Sequence, residues 1–382
     1  MQNVQYKKLP AFTCDAEALS DVLLRIVAIT DYGQNAAANK QHIIIASDGQ
    51  LFILGLSQDV TAYLSIAADI TAEGICSICA TDIIGVLKKR KGDFYFEGAQ
   101  GNLKYKSAKT KYQGQLALKE LTPDIKEAID GINTGVKGTM LKPDMLTELK
   151  RGVKCVKLKD VVFDNALNIM IQCVDGAFAT AASDGYHALI YRAKTQHKSK
   201  DFCMSVTGAA YNVIDKFINN QAASFSIGST LLITNKTSMY AAIPSTQIKE
   251  DEFGAFKSVE AASKEKFLTE FVLDCSLSDK IANMFTLKSS SLEMSSSFNF
   301  EQKDGKLKIT YATSSGSTAE IVKCKSFSGK HAFSIGERML HDTLSSFSAC
   351  TDITMRVNEA MFFIIAETDE YKLIGAGALD EK

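Results

Sequence analysis

The sequence predicts an α+β protein of three similar domains in tandem, each made of two halves with a strand, a helix and several further strands. Three observations carry this. The 382-residue length exceeds the roughly 250 to 300 residues at which a single hydrophobic core stops growing, so two or three domains are expected. Asp-Gly turns flanked by β-rich runs recur at Asp48-Gly49, Asp175-Gly176 and Asp304-Gly305, 127 and 129 residues apart, close to a third of the chain. Helix-forming segments keep the same beat, since taking Ile83, Ala209 and Arg338 as equivalent positions gives spacings of 126 and 129. The domains are accordingly drawn at 1–130, 131–258 and 259–382.

In the first third, apolar residues three and four apart (Leu19, Leu23, Ile26, Val27) predict a helix over 16–29. A polar loop, TDYGQNAAANK, leads into the strands HIIIAS and QLFILGL on either side of the first Asp-Gly. A second helix is predicted over 80–92, with Thr81 or Asp82 as N-cap and Gly92 as its stop, and DFYFEGAQGNLKYKSA reads as another hairpin. The middle third repeats the order: LKPDMLTELKRG puts Pro143 at a helix start, and SVTGAAYNVIDKFINN supplies the second helix. The last third does so again with CSLSDKIANMFTLK and SIGERMLHDTLSSFS. Polar stretches near 120–138 and 244–266 read as connections between the thirds.

Composition narrows the function. With 46% hydrophobic and 23% charged residues and four prolines, the chain has material for a large core and is neither disordered nor fibrous. No apolar run reaches the roughly 18 residues of a membrane span, and MQNVQYKKLPAF lacks the apolar segment of a secretory signal. A cytoplasmic protein with no membrane partner is expected. Nine cysteines scattered through strand-like segments suit reduced, buried thiols, and the one close pair, Cys76 and Cys79, has no second pair or nearby histidine to make a zinc site. No metal or other cofactor is expected. Net charge is −1, which argues against a strongly basic nucleic-acid binder, but the thirds carry −1, +4 and −4 in turn. There is no P-loop, HExxH, EF-hand loop or GxSxG elbow, so Asp184 and His187 lack a nucleophile and no catalytic residue is assigned.

The segment ASDGYHALIYR, residues 182–192, with VDGAFAT upstream, resembles the middle domain of the bacterial sliding clamp, the DNA polymerase III β-subunit family. In that family a motif of the type Ala-Thr-Asp-Gly-His-Arg-Leu ends a strand at this place; here Ser183, Asp184, Gly185, Tyr186 and His187 stand there. The resemblance implies the DNA clamp fold and a head-to-tail homodimer closing into a ring, whose inner helices surround double-stranded DNA without reading its sequence. Such a clamp is a processivity factor and not an enzyme: it tethers the polymerase to its template. It works in the cytoplasm at the nucleoid or replication fork, or in the host cytoplasm if encoded by a bacteriophage. Enclosure supplies retention, so phosphate contacts need only be weak.

On that reading the inner surface draws on two basic helices. One carries Lys142, Lys150, Arg151, Lys154, Lys157 and Lys159 against Asp144 and Glu148; the other carries Lys88, Lys89, Arg90 and Lys91 against Asp82. Arg25, Lys216, Lys280 and Arg338 are fainter candidates, balanced by nearby acids, and a solvated helix face accounts for any one of these charges equally well. The resemblance also implies a groove through which the DNA polymerase and the clamp loader dock by a short apolar peptide. Ser183, Gly185, Tyr186, His187 and Ala188 would form one wall, and Ile374 and Leu379 of the C-terminal strand another. Here the sequence departs from the family: the chain ends GAGALDEK where a Met-Pro-Met-Arg-Leu type tail is usual, and IPSTQIKEDEF replaces an Arg-Phe-Pro segment. Gly375, Ala376, Gly377 and Ala378 remove bulk from the wall, so the partner peptide is expected to differ from the usual one. For the dimer joint, the candidates are Tyr105 and Tyr112 on one side and Met284 and Phe285 on the other, with ordinary core packing as the competing account of the last two. A second function class, an oligomeric peptide-binding scaffold built from the three tandem repeats with no role at DNA, fits the same composition.

Overall fold

The structure is a computed structural model of the chain. It describes residues 6–30, 41–57, 59–134, 139–140, 143–156, 168–185, 187–217, 224–235, 238–248, 253–274, 276–284, 296–303, 306–313, 316–329, 332–347, 350 and 352–380. The turn at 304–305 and the candidates Lys142, Lys157, Lys159, Tyr186 and Phe285 lie outside the described residues, as do the side chains of Lys216 and Arg338.

In chain order the first elements are β1 (Ala11–Asp15), α1 (Ala16–Thr30), β2 (Gln41–Ser47), β3 (Gln50–Leu56), β4 (Thr61–Ala67), β5 (Asp69–Ala72), β6 (Gly74–Ile78), α2 (Ala80–Leu87), β7 (Asp93–Ala99), β8 (Asn102–Ser107) and β9 (Gln113–Ala117). Then come α3 (Asp124–Thr134), β10 (Thr139–Met140), α4 (Pro143–Cys155), β11 (Asn168–Val174), β12 (Ala177–Ser183), β13 (His187–Gln196) and β14 (Phe202–Thr207). They are followed by α5 (Ala209–Asn212), continued by a π-helical turn over Val213–Phe217, and by β15 (Ser224–Ile227), β16 (Thr230–Thr234) and β17 (Met239–Gln247). After α6 (Gly254–Ala262) the chain runs through β18 (Thr269–Asp274), α7 (Leu277–Met284), β19 (Ser297–Lys303), β20 (Lys306–Thr313), β21 (Gly316–Val322), β22 (Ser326–Gly329) and β23 (Phe333–Gly336). It ends with α8 (Glu337–Ser345), β24 (Asp352–Val357), β25 (Met361–Glu367) and β26 (Tyr371–Ala378).

With β5, β22, α3 and α6 set aside, one motif repeats six times: a leading strand, a helix and three strands. The copies are β1-α1-β2-β3-β4, β6-α2-β7-β8-β9, β10-α4-β11-β12-β13, β14-α5-β15-β16-β17, β18-α7-β19-β20-β21 and β23-α8-β24-β25-β26. The Asp-Gly turns join the first two of the three strands. At Asp48-Gly49 and Asp175-Gly176 both residues have positive φ, 51° and 72° in one and 49° and 78° in the other, the backbone that two-residue hairpins require. Each turn is capped alike, Asp48 N donating to Glu73 Oε1 at 3.1 Å and Asp175 N to Asp201 Oδ1 at 3.0 Å.

The contacts divide the chain into two compact units, residues 1–146 with 206–246, and residues 147–205 with 247–382. In the first unit, sheet A runs β5-β1-β7-β8-β9 and sheet B runs β10-β15-β16-β17-β4-β3-β2-β6. In the second, sheet C runs β11-β12-β13-β26-β25-β24-β18-β22 and sheet D runs β21-β20-β19-β23. All these pairings are antiparallel. Two of them, β4 with β17 and β13 with β26, join the third strands of different copies.

Helix α1 forms where the apolar spacing predicts, with Asp15 Oδ1 accepting from Ala18 N at 2.9 Å as its cap. Its buried stripe, Leu19, Val22, Leu23, Ile26 and Ile29, lies over sheet B; a Cβ on Gly55 would come within 2.6 Å of the Ile26 methyl. Three expectations need correction. Helix α2 stops at Leu87 and not at Gly92, Lys89 turning to φ 62°, and its N-cap is Cys79, with Thr81 and Asp82 inside the first turn. The stretch 120–138 is not only polar linker: it holds α3, whose Ile125 and Ile129 pack against Ile43, Ile45, Phe52, Leu54 and Tyr63 of sheet B. Likewise 244–266 holds the end of β17 and α6, which packs on sheet C. The described cysteines are free thiols, Cys14 and Cys76 among the buried ones. No described helix is long and apolar enough to cross a membrane.

Candidate nucleic-acid interface and partner groove

The basic candidates divide by what they touch. Lys88, Lys89, Arg90 and Lys91 follow α2 as an exposed cationic run. Within it the Arg90 guanidinium stacks 4.1 Å over the Tyr112 ring, and Lys91 pairs with Glu17 at 3.7 Å, both solvent-facing. On α4, Lys154 is exposed and Lys150 half-buried. Arg151 is tied down: it reaches Glu370 at 3.0 Å and Glu148 at 3.8 Å, and its guanidinium lies 5.6 Å from the Tyr371 ring. Glu148 is buried and also accepts from the Tyr191 hydroxyl. Burial, with the Glu148 carboxylate beside it, pushes the Tyr191 phenol well above its ordinary value, so Tyr191 stays a hydrogen-bond donor. Arg25 is a brace as well, donating from Nε to Phe217 O at 3.1 Å and pairing with Asp21 at 3.5 Å one turn earlier. Lys280 pairs with Glu320 at 3.7 Å.

The Ser183–His187 turn is held by its own side chains. Ser183 Oγ donates to His187 O at 2.9 Å and accepts from Gly185 N at 3.1 Å, while Asp184 Oδ1 accepts from His187 N at 2.9 Å. Gly185 takes φ 89°, a conformation that L side chains rarely adopt. His187 is only 7% exposed, and its Nδ1 lies 2.8 Å from Asp184 Oδ2. A carboxylate only accepts, so the shared hydrogen sits on Nδ1. The buried Nε2 has no hydrogen-bond partner among the described residues. The turn thus presents a fixed polar rim to whatever lies beside it.

The sheet continues the rim as an apolar floor. Across the ladder, Ser183 pairs with Ala188, Ala188 with Ala376 and Ala376 with Phe363; in the next row Ala181, Ile190, Ile374 and Ile365 stand side by side. Strand alternation puts these two rows on one face and Leu189, Tyr191, Gly375 and Gly377 on the other. That other face meets helices closely. A Cβ on Gly375 would lie 2.4 Å from Thr343 Cγ2 of α8, and one on Gly377 would lie 2.5 Å from Met339 Sδ. The small residues of the C-terminal strand therefore fall into two sets: glycine where α8 presses in, and Ala376 on the opposite, likewise buried face of the floor. Ile374 and Ala188 belong to the floor, and Leu379 follows β26, its N donating to Ala360 O at 2.9 Å.

At the proposed joint, Tyr105 and Tyr112 pack with ring centroids 5.7 Å apart on sheet A, beside its edge strand β9. Met284 is 5% exposed, inside the buried face of α7 with Leu277 and Ile281. Sequence reasoning missed three features: the buried Glu148 that holds Arg151, the aromatic pair Phe253 and Phe256 on the floor, and Ile321, 59% exposed on the edge strand β21. The i, i+3 spacing in EFGAF was the available signal for the second.

The sequence matches no family profile and no curated protein. The fold matches solved structures over nearly the whole chain. A DNA polymerase sliding clamp from Bacillus subtilis superposes with TM-score 0.73 at 13% identity, covering 98% of this chain and 100% of that one. The DNA polymerase III β subunit from Thermotoga maritima gives 0.73 at 14% with the same coverage, and the sliding clamp from Pseudomonas aeruginosa bound to griselimycin gives 0.72 at 13%, again covering 98% and 100%. With a TM-score above 0.7 and coverage of 98% of this chain and 100% of each of those chains, the chain has the fold of the bacterial DNA polymerase III β-subunit sliding clamps.

Proposed function

We propose that this chain is a sliding clamp: a processivity factor, without chemistry of its own, that closes around duplex DNA as a homodimer of three-domain chains and tethers a DNA polymerase. One observation carries the reading. Among the six copies, the first is joined to the fourth through β4 and β17, and the third to the sixth through β13 and β26. The second and fifth are left with third strands, β9 and β21, at the edges of the shorter sheets A and D. An open edge is a template for another chain, and the second copy of one chain is the complement that the fifth copy of another lacks. Pairing β9 with β21 of a second chain, twice over, repeats the internal join and closes a cyclic dimer in which both of these edges are paired. Within each third, in contrast, the leading strand of one copy pairs into the sheet of the other, β1 with β7 and β6 with β2, β10 with β15, and β18 with β24 and β23 with β19, which supports a division at 1–130, 131–258 and 259–382. Tyr105 and Tyr112 lie at this joint; the buried Met284 supports α7 from within.

For the inner surface, the exposed Lys88, Lys89, Arg90, Lys91 and Lys154 and the half-buried Lys150 are the best phosphate contacts, whereas Arg25 and Arg151 brace the fold that presents them. Partners of the peptide-bearing kind would use the rim at Ser183–His187 and the floor under Ile374. Loading on a nicked circular duplex tests the reading: the protein should stay on the circle in high salt and leave once the circle is cut. A peptide-binding scaffold would be indifferent to DNA ends, and a direct phosphate binder would be released by salt alone.

A further inference from the structure

The floor of the proposed partner groove is already occupied, and the occupant is α6. Phe253, just before the helix, and Phe256 within it are buried against Ala179, Ala181, Ala188, Ile190, Ile374 and Ala376. On the same face Arg192, one row beyond Ile190, forms an ion pair with Glu260 through Nε and lies 5.8 Å from the Phe253 ring. At the far end Arg356 donates from Nη1 to Ser263 O at 2.9 Å and sits 4.6 Å from the Phe267 ring. Phe253, Phe256 and Glu260 are spaced i, i+3 and i+7, the spacing by which an amphipathic helix fills a groove.

The other connecting helix gives the contrast. Helix α3 also covers a sheet, but the surface beneath it is made of large side chains, Ile43, Ile45, Phe52, Leu54, Tyr63, Leu232 and Tyr240. Beneath α6 the alanines at 179, 181, 188 and 376 lie among the larger Ile190, Phe363, Ile365 and Ile374, and two aromatic rings fill the space that the alanines leave. A patch of small residues among larger ones receiving large anchors, beside a polar rim whose His187 Nε2 lacks a partner among the described residues, is built like a binding site.

Resting on the partner-groove reading above, we propose that α6 is a built-in pseudo-ligand of that groove, and that an external partner enters by displacing it. The partner is a segment of the same chemistry: two large apolar side chains three residues apart, followed four residues later by an acid for Arg192. A tethered occupant acts at an effective concentration of about millimolar, so a free peptide at micromolar concentration competes only when α6 is loosened.

A fluorescein-labelled peptide of residues 251–265, DEFGAFKSVEAASKE, tests this by anisotropy against the full chain. It should bind Phe253→Ala/Phe256→Ala at least tenfold more tightly than wild type, and the same peptide with both phenylalanines replaced by alanine should not bind. Glu260→Gln leaves the core intact; it should raise peptide affinity severalfold and speed hydrogen exchange in the α6 amides. Should the double variant not fold, Glu260→Gln decides alone. The proposal is overturned by a folded double variant that binds no better than wild type, by equal binding of the alanine peptide, or by an unchanged Glu260→Gln. A gain in Ile125→Ala/Ile129→Ala, which loosens α3 instead, would also overturn it. End-dependent retention on circular DNA, measured on the same proteins, separates the two readings. Normal retention without peptide gain sinks only the pseudo-ligand, and loss of end dependence in wild type sinks only the clamp.

Discussion

Arg151 and Lys154 stand three residues apart on α4 and are alike to a reader of the sequence, yet of the two only Arg151 has acidic and aromatic partners among the described residues. Arg151 neutralises the buried Glu148, which also anchors the Tyr191 hydroxyl; a second acid there would remove that carboxylate's cation and set a like charge beside it. Arg151→Glu is therefore expected to lower unfolding free energy by about 2 kcal/mol, and Lys154→Glu to change it by less than about 0.5 kcal/mol while slowing DNA association at low salt. Urea unfolding and association kinetics on both variants read this, and equal stability losses would remove the distinction between brace and phosphate contact. The cysteines carry a pH prediction. Burial, with Asp15 and Asp93 adding to it, pushes the Cys14 thiol up to about 12, and burial pushes Cys76 up to about 12 against a hydrogen bond from the Ile44 backbone. A thiol whose value is raised in the folded state stabilises it fully below the ordinary value of 9.0 and loses that contribution as pH rises from there toward 12. Thermal midpoints should fall over this window, and fall less in Cys14→Ala/Cys76→Ala; parallel curves would mean that other groups govern alkaline unfolding.

The elements that were legible were those whose pattern is local. The Asp-Gly hairpins and α1, with its three-and-four spacing, follow from turn chemistry and amphipathicity alone. Helices α3 and α6 were lost because polar residues outnumber the few apolar anchors, Ile125 and Ile129 in one and Phe253 and Phe256 in the other, and their stability comes from sheets far away in sequence. For the same reason the turn at Ser183–His187 could be found from its residues, whereas the occupant of the adjacent floor could not. Ile129→Ala measures how far α3 depends on docking. It should cost about 2 to 4 kcal/mol, the range for a large core truncation, against a few tenths for an exposed helix position. A loss under about 1 kcal/mol in chemical denaturation would mean that α3 rests on sheet B without being held by it.

At the scale of the molecule, no single residue or element joins the repeats; the pairing of copies does. Sheets B and C each unite the strands of two copies through third strands, and the same strand of the second and fifth copies remains on an edge. Exposed and half-exposed positions alternate along β9, with Leu116 half-exposed, and on β21 Ile321, a residue that suits a partner better than water, projects with 59% of its surface exposed. An isolated edge with a large aliphatic residue invites aggregation, and natural edges are commonly blunted by lysine. Ile321→Lys is thus a test of the joint that leaves the core alone, unlike a charge at the buried Met284, which would unfold α7 whatever its role in assembly. The wild-type mass in solution should be twice the 41.6 kDa of one chain, and Ile321→Lys should shift the population toward the single chain at micromolar concentration with an unchanged thermal midpoint. Retention on circular DNA should fall in step with the dimer, because enclosure needs both joints. A variant that stays dimeric, or that becomes monomeric and yet remains on circles, would show that β21 is not the closing edge.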